Sequence, residues 1–293
     1  MNPFSTQYDT DASDTELIQA ALRGDKRSLE QLLRKHQPYI YNIAWKMVHQ
    51  PSDAADLTQE ALIKIITQLG KFSFKSSFRT WAYRIVVNHF LNEKKRGRER
   101  FFNSFEDMER GLDMIEDQPL SELEQAEQQA MIREMNLSCM SAMLLCLNRE
   151  QRLVYIIGEV FGGDHNIGSN IMQISRDNFR AKLKKARRDL YNFMNRKCGL
   201  VNKSNPCRCH KKVRVATSSG QINAKQILFN RPEYQKFQEQ IAPDAEFLFD
   251  DLDEQYALLY REMPYKADFD KQTFIEEIIN SMDWSSRLGL FPS

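Results

Sequence analysis

Apolar side chains recur at intervals of three and four residues along nearly the whole chain, while the strict alternation of a half-buried strand is almost absent. That periodicity confines the fold to helices packed on helices. Leu17, Ile18, Ala21 and Leu22 make a first stripe, with Asp14 as a candidate cap and an end near Gly24-Asp25. Leu29, Leu32 and Leu33 open a second, continued beyond Pro38 by Ile40, Ile43, Ala44 and Met47, and Pro51-Ser52 interrupts it. Leu57, Ala61, Ile65 and Leu69, widened by Leu62 and Ile66, run to Gly70. Ser76-Ser77 can cap a fourth helix with Phe78, Trp81, Ala82, Ile85, Val86 and Phe90 turned inward. Four helices in so short a stretch predict one compact all-α domain over 12–97.

The rest of the 293 residues leaves room for a second domain. Residues 98–130 are acidic, contain Gly111 and Pro119, and read as a linker. Helical periodicity resumes over 131–200, the second domain. Residues 201–293 comprise a Cys-containing basic loop and an acidic helical extension with stripes at Leu248, Leu252, Tyr256, Leu259 and at Phe274, Ile275, Ile278, Ile279, Met282. The expected class is therefore all-α: two small helical domains, an acidic linker and a helical C-terminal extension. No apolar run approaches the ~18 residues of a membrane span. The N-terminus has neither the basic nor the apolar region of a signal peptide, and the cytoplasm is the expected location.

The net charge of +1 hides a strong segregation. Residues 71–100 carry 9 basic and 2 acidic side chains, and 174–214 carry 14 and 2. Between and after them, 101–150 carry 3 basic and 11 acidic, and 215–293 carry 7 and 14. Two concentrated basic blocks are the footprint of a polyanion binder, with acidic segments to pair or mask them.

In the first block, Lys71-Phe72-Ser73-Phe74-Lys75-Ser76-Ser77-Phe78-Arg79-Thr80-Trp81-Ala82-Tyr83-Arg84 interleaves cations with aromatic rings. Single-stranded DNA is held this way, with cations along the phosphates and rings stacked on unpaired bases. Phe78 and Trp81 fit the inward stripe and read as core. Phe72, Phe74, Lys75, Arg79, Tyr83 and Arg84 fall on the loop or off the stripe and read as DNA contacts. Asn88, Asn92 and Lys95 extend that face toward a duplex, amides for base edges and a cation for phosphate.

Asp53-Ala54-Ala55-Asp56-Leu57-Thr58-Gln59-Glu60-Ala61, then Lys71-Phe72 and Ser77 to Ile85, resembles the second domain of extracytoplasmic-function sigma factors. The resemblance implies that Asp56, Gln59 and Glu60 dock on core RNA polymerase. It also implies that residues 72–96 open and read the minus-ten promoter element.

In the second block, Gln173-Ile174-Ser175 stands between a short helix and a long one from Arg176. The long helix would bury Phe179, Leu183, Ala186, Leu190 and Phe193, and turn Arg176, Arg180, Lys184, Arg187 and Arg188 outward. That pattern is a helix-turn-helix whose second helix enters the major groove. It resembles the fourth domain of the same family, which reads the minus-thirty-five element. By that resemblance Arg176, Asp177, Asn178, Arg180 and Lys184 are the DNA contacts. Gln173 departs from the family by occupying the place of a turn glycine, and Gly168 weakens the helix before it.

Cys198, Cys207, Cys209 and His210 form a weak zinc candidate, off the usual knuckle spacing; the cofactor expectation is none. Cys139 and Cys146 read as core. There is no nucleophile elbow, phosphate loop, dinucleotide fingerprint or metalloprotease motif, so no enzyme is expected. The leading expectation is a sigma factor with core RNA polymerase and promoter DNA as partners and an anti-sigma factor as a candidate third. The alternative is a stand-alone helix-turn-helix regulator, which would have no use for a base-stacking loop.

Overall fold

The computed structural model describes residues 11–94, 99 and 104–222. The apolar stripes at 248–259 and 274–282 lie outside the described residues, as does Lys95. Among the described residues the regular structure is helical, apart from one bridge between Cys198 and Cys207, and no helix is long and apolar enough to cross a membrane.

Two compact units emerge. Among the described residues, the first comprises 11–94 with 156–181, and the second comprises 99 and 104–155 with 182–222. The units thus cut through the segment 131–200 that reads from sequence as one domain. The chain leaves the second unit after Tyr155 and re-enters it within the long basic helix.

The first unit begins with α1 (Asp11–Leu22), α2 (Lys26–Val48), α3 (Pro51–Gln68) and α4 (Phe78–Asn92). The four expected helices are present, and their stripes are the core: Ile18, Leu32, Ile40, Ile43, Leu57, Ala61, Leu62, Ile65, Val86 and Phe90 are buried. Side-chain oxygens cap two of them. Asp25 accepts from the Arg27 amide at 3.1 Å and Ser77 from the Thr80 amide at 3.2 Å, each satisfying an otherwise orphaned donor. Asp14 is not a cap. It sits inside α1, buried, with His36 Nε2 at 3.0 Å and Lys35 Nζ at 2.6 Å. Burial works against its carboxylate, yet these partners hold the pKa below the usual value. Pro38 lies inside α2, where the missing amide costs a backbone bond; buried residues on both sides of it hold the helix together.

In the second unit the acidic stretch is no plain linker. It forms α5 (Phe105–Met114) and α6 (Glu122–Glu127) and buries Met108, Leu112 and Leu120. It is followed by α7 (Gln129–Leu145) and α8 (Arg149–Tyr155). The helices α9 (His165–Met172), α10 (Arg176–Lys197) and α11 (Cys209–Ser218) complete the described chain. Opposite charge settles the acidic stretch in place. Glu109 meets Arg196 at 2.6 Å, Asp113 meets Lys197 at 2.8 Å, Asp117 meets Lys212 at 3.0 Å, and Glu124 pairs with Arg214. Deeper in, Arg152 lies buried at the end of α7, donating to the carbonyls of Leu144, Leu145 and Leu147. Glu99 joins it at 3.0 Å and Arg149 at 2.6 Å. Desolvation lowers the Arg152 pKa to about 10 while Glu99 supports its charge.

Candidate nucleic-acid interface

The loop between α3 and α4 and the first turn of α4 together hold four rings in contact. Phe72 is buried, with its centroid 4.7 Å from Phe74, 5.8 Å from Phe78 and 5.3 Å from Trp81. Phe74 is 46% exposed and stands at φ +57°, a left-handed conformation that an aromatic residue adopts only at a cost. Lys71 and Lys75 flank it, exposed. Arg79 is half-buried on the first turn of α4. The arrangement offers one solvent-facing ring between two cations, resting on buried aromatics.

Further along α4 the side chains turn to α9. Tyr83 is buried, its ring 6.3 Å from Phe161, and burial pushes its hydroxyl pKa well up. Arg84 donates to Asn170 Oδ1, and Asn88 Nδ2 donates to Gln173 Oε1 at 3.4 Å. Asn92 Nδ2 donates to the Asn88 carbonyl at 2.7 Å, bonding its own helix.

On α3, Asp56 is exposed and Gln59 half-buried. Glu60 accepts from His89 Nε2 at 3.1 Å, while Lys64 Nζ donates to His89 Nδ1 at 2.7 Å. Burial lowers the His89 pKa, Lys64 lowers it further, and Glu93 and Glu60 oppose them; the ring stays neutral. Among the described residues, Glu60, His89 and Glu93 bring their donor atoms within 4.8 Å of one another. With Lys64 already at the ring, the set reads as a hydrogen-bond network that orients Glu60.

The helix-turn-helix is formed by α9 and α10. Asp164 caps α9, accepting from the amides of Asn166 and Ile167 at 2.8 Å. Gln173 makes the turn at φ +55°, and Ser175 Oγ accepts from the Asn178 amide at 3.2 Å to start α10. Phe179, Leu183, Ala186, Leu190 and Phe193 are buried, the stripe read from the sequence. Arg176, Asp177, Asn178, Arg180 and Lys184 are all exposed. Arg176 donates to Asn166 Oδ1 at 3.1 Å, and Arg180 lies 3.8 Å from Asp177.

Residues 32–100 match the Sigma-70 region 2 family. The chain is 40% identical over 79 residues to the RNA polymerase sigma-H factor of Pseudomonas aeruginosa, covering 27% of this chain and 41% of that one. It is 31% identical over 86 residues to the ECF RNA polymerase sigma factor SigM of Mycobacterium tuberculosis, covering 29% and 44%. The RNA polymerase sigma factor YlaC of Bacillus subtilis is 26% identical over 165 residues, 55% of this chain and 95% of that one. Residues 32–100 are thus a Sigma-70 region 2 domain, similar to that of extracytoplasmic-function sigma factors. The matches to the Pseudomonas and Mycobacterium proteins span less than half of either relative's length.

The region 2 match ends close to the end of the described part of α4, so the aromatic loop, α3 and α4 all belong to it. Two of the expected DNA contacts need correction. Phe72 and Tyr83 are core: one underlies the Phe74 ring and the other packs on Phe161. Arg84 and Asn88 lie on the expected face but are engaged by α9 and the turn after it. Asn170 and Phe161, which make two of these contacts, carry no signal in sequence, because a polar or aromatic residue in or before a helix-turn-helix is unremarkable. Gly168 did carry one. It weakens α9 because the helix must approach Phe179 closely, a contact any side chain would block.

Proposed function

We propose that this chain is a dissociable initiation subunit: it binds core RNA polymerase and directs it to specific promoters, in the cytoplasm. The observation that carries the reading is the pairing of a region 2 domain, with Phe74 displayed between Lys71 and Lys75, with a helix-turn-helix whose exposed outer face is basic. The first supplies a ring for an unpaired base and cations for the phosphates beside it. The second presents Arg176, Asn178, Arg180 and Lys184 on the N-terminal half of a groove-sized helix. Asp56, Gln59 and Glu60 form the face offered to polymerase, with Glu60 aimed by His89. The chain's part is binding energy, and RNA synthesis is the polymerase's chemistry. An anti-sigma factor that covers these faces is a further candidate partner.

Mixing the purified chain with core polymerase tests the proposal. A stable complex that initiates from defined promoters is the expected outcome. Duplex binding without polymerase binding would favour the stand-alone regulator.

A further inference from the structure

Four of the five cysteines meet at one place. Cys139 comes from α7, Cys198 from the residue after α10, Cys207 from the loop that follows, and Cys209 from the first residue of α11. They line a single cavity of about 10 Å³, enough for one water-sized occupant and too small for an organic ligand. All are free thiols. The structure assigns to Cys139, Cys198, Cys207 and Cys209 a tetrahedral thiolate site for a single zinc ion.

Two features support it. The loop that carries the ligands is built to a fixed shape. Gly199 donates to the Cys207 carbonyl at 3.0 Å, and a Cβ on Gly199 would stand 2.5 Å from that oxygen, so the two strands of the loop close only over glycine. Asn205 Nδ2 reaches the Asn195 carbonyl at 2.7 Å and the Cys198 carbonyl at 3.0 Å, tying the loop to the end of α10. Second, hydrogen-bond donors and cations stand beside the sulfurs. Backbone amides of Leu200 and Val201 donate toward the Cys198 sulfur. Cys209 begins a helix, and Arg208 and Lys212 lie near the sulfurs.

Burial alone pushes the thiols up, Cys209 to about 12, so the free side chains stay protonated. Zinc binding would release four thiol protons to solvent and leave a net charge of −2 against the neighbouring cations. Among the described residues no three of these sulfurs lie within 4.8 Å of one another, so binding would have to draw them inward onto the ion. His210, the fourth ligand suggested by sequence, does not line the cavity; Cys139 takes its place. Because Cys198 directly follows α10, the ion would pin the end of the recognition helix to α7 and α11.

Elemental analysis of the full chain, purified under reducing conditions, tests the site. About one zinc per chain is expected, and cobalt exchanged for it should show thiolate-to-cobalt charge transfer and the intense visible bands of tetrahedral coordination. Cys207→Ser and Cys139→Ser should lose the metal and the four-sulfur spectrum. Cys146→Ser should keep both, since Cys146 lies apart with its sulfur 3.6 Å from that of Met108. A wild-type chain that binds neither ion, a Cys198–Cys207 disulfide in the reduced protein, or metal retained in Cys207→Ser and Cys139→Ser alike would each overturn the assignment. Should either variant misfold, cobalt titration of the wild-type chain still decides, since a spectrum without thiolate charge transfer excludes the sulfur site.

Discussion

Gly168 lies so close to Phe179 that a Cβ on it would stand 2.2 Å from Cζ and 2.5 Å from Cε2 of the ring. The ring is fully buried and cannot simply swing away. Alanine at 168 gains about 1 kcal/mol of helix propensity but forces an overpacking cost of about 1–3 kcal/mol or more. Gly168→Ala should therefore destabilise the chain in urea melts, and adding Phe179→Leu should recover part of the loss. Additive effects in that double-mutant cycle would show that the two residues do not share the contact.

Much of the fold was legible because its signals are local. The stripes of α1 to α4 and α10 follow from the helical period, and the Ser77 and Ser175 caps from a hydroxyl at the right offset. What was not legible depends on distant chain. Nothing near Tyr83 or Arg84 in sequence announces Phe161 and Asn170, so an off-stripe tyrosine looked solvent-facing although it is buried with its ring near Phe161. Cys139 looked like core for the same reason, its three companions lying far down the chain. Arg152 carries no signal of its burial in the sequence, because a buried arginine is recognised only by Glu99 and the three carbonyls it meets. The acidic segment was legible as charge but not as structure: its helices exist because the basic residues of α10 and α11 receive them.

The aromatic loop separates two roles in adjacent residues. Phe74→Ala removes an exposed ring and should change stability by no more than about 0.5 kcal/mol. Promoter opening, followed by permanganate reactivity of unpaired thymines, should fall sharply while polymerase binding persists. Phe72→Ala should instead cost about 3–5 kcal/mol as a buried aromatic truncation. Normal opening by the Phe74 variant would remove the ring from the melting step.

Glu99 makes acid stability a measurable property of the second unit. Burial works against its carboxylate, but Arg149 and Arg152 hold its folded pKa below the ordinary value. A depressed carboxylate contributes stability that is complete above the unfolded pKa and disappears as pH falls through the folded one. Glu99→Gln strands Arg152 and should cost about 3–5 kcal/mol at neutral pH. The variant's stability should also fall less than the wild type's as the medium is taken from about pH 5 to pH 3. Parallel pH curves for the two proteins would assign the acid sensitivity to other carboxylates, such as Asp14.

The turn of the helix-turn-helix carries a removable strain. Gln173 sits at φ +55°, where a residue with a Cβ pays about 1 kcal/mol that glycine does not. Gln173→Gly should raise the midpoint of thermal unfolding by several degrees, as about 1 kcal/mol does in domains of this size. A lower midpoint would mean that the Asn88–Gln173 hydrogen bond outweighs the backbone strain.

The contact between α4 and α9 sets a condition on DNA binding. Arg84 and Asn88 reach toward Asn170 and Gln173, the same side chains that the region 2 face would turn to promoter DNA. While those bonds hold, Arg84 and Asn88 are engaged, and binding through either side chain would first have to break them. A net hydrogen bond is worth about 0.5–1.5 kcal/mol, so Asn170→Ala should tighten binding of a single-stranded minus-ten oligonucleotide by about two- to tenfold. Arg84→Ala should not, because it removes the phosphate contact together with the restraint. The distinction lies in the salt dependence: Asn170→Ala should keep the wild-type slope, and Arg84→Ala should make it shallower by about one phosphate. Equal affinity of wild type and Asn170→Ala would show that α9 does not compete with DNA for this face.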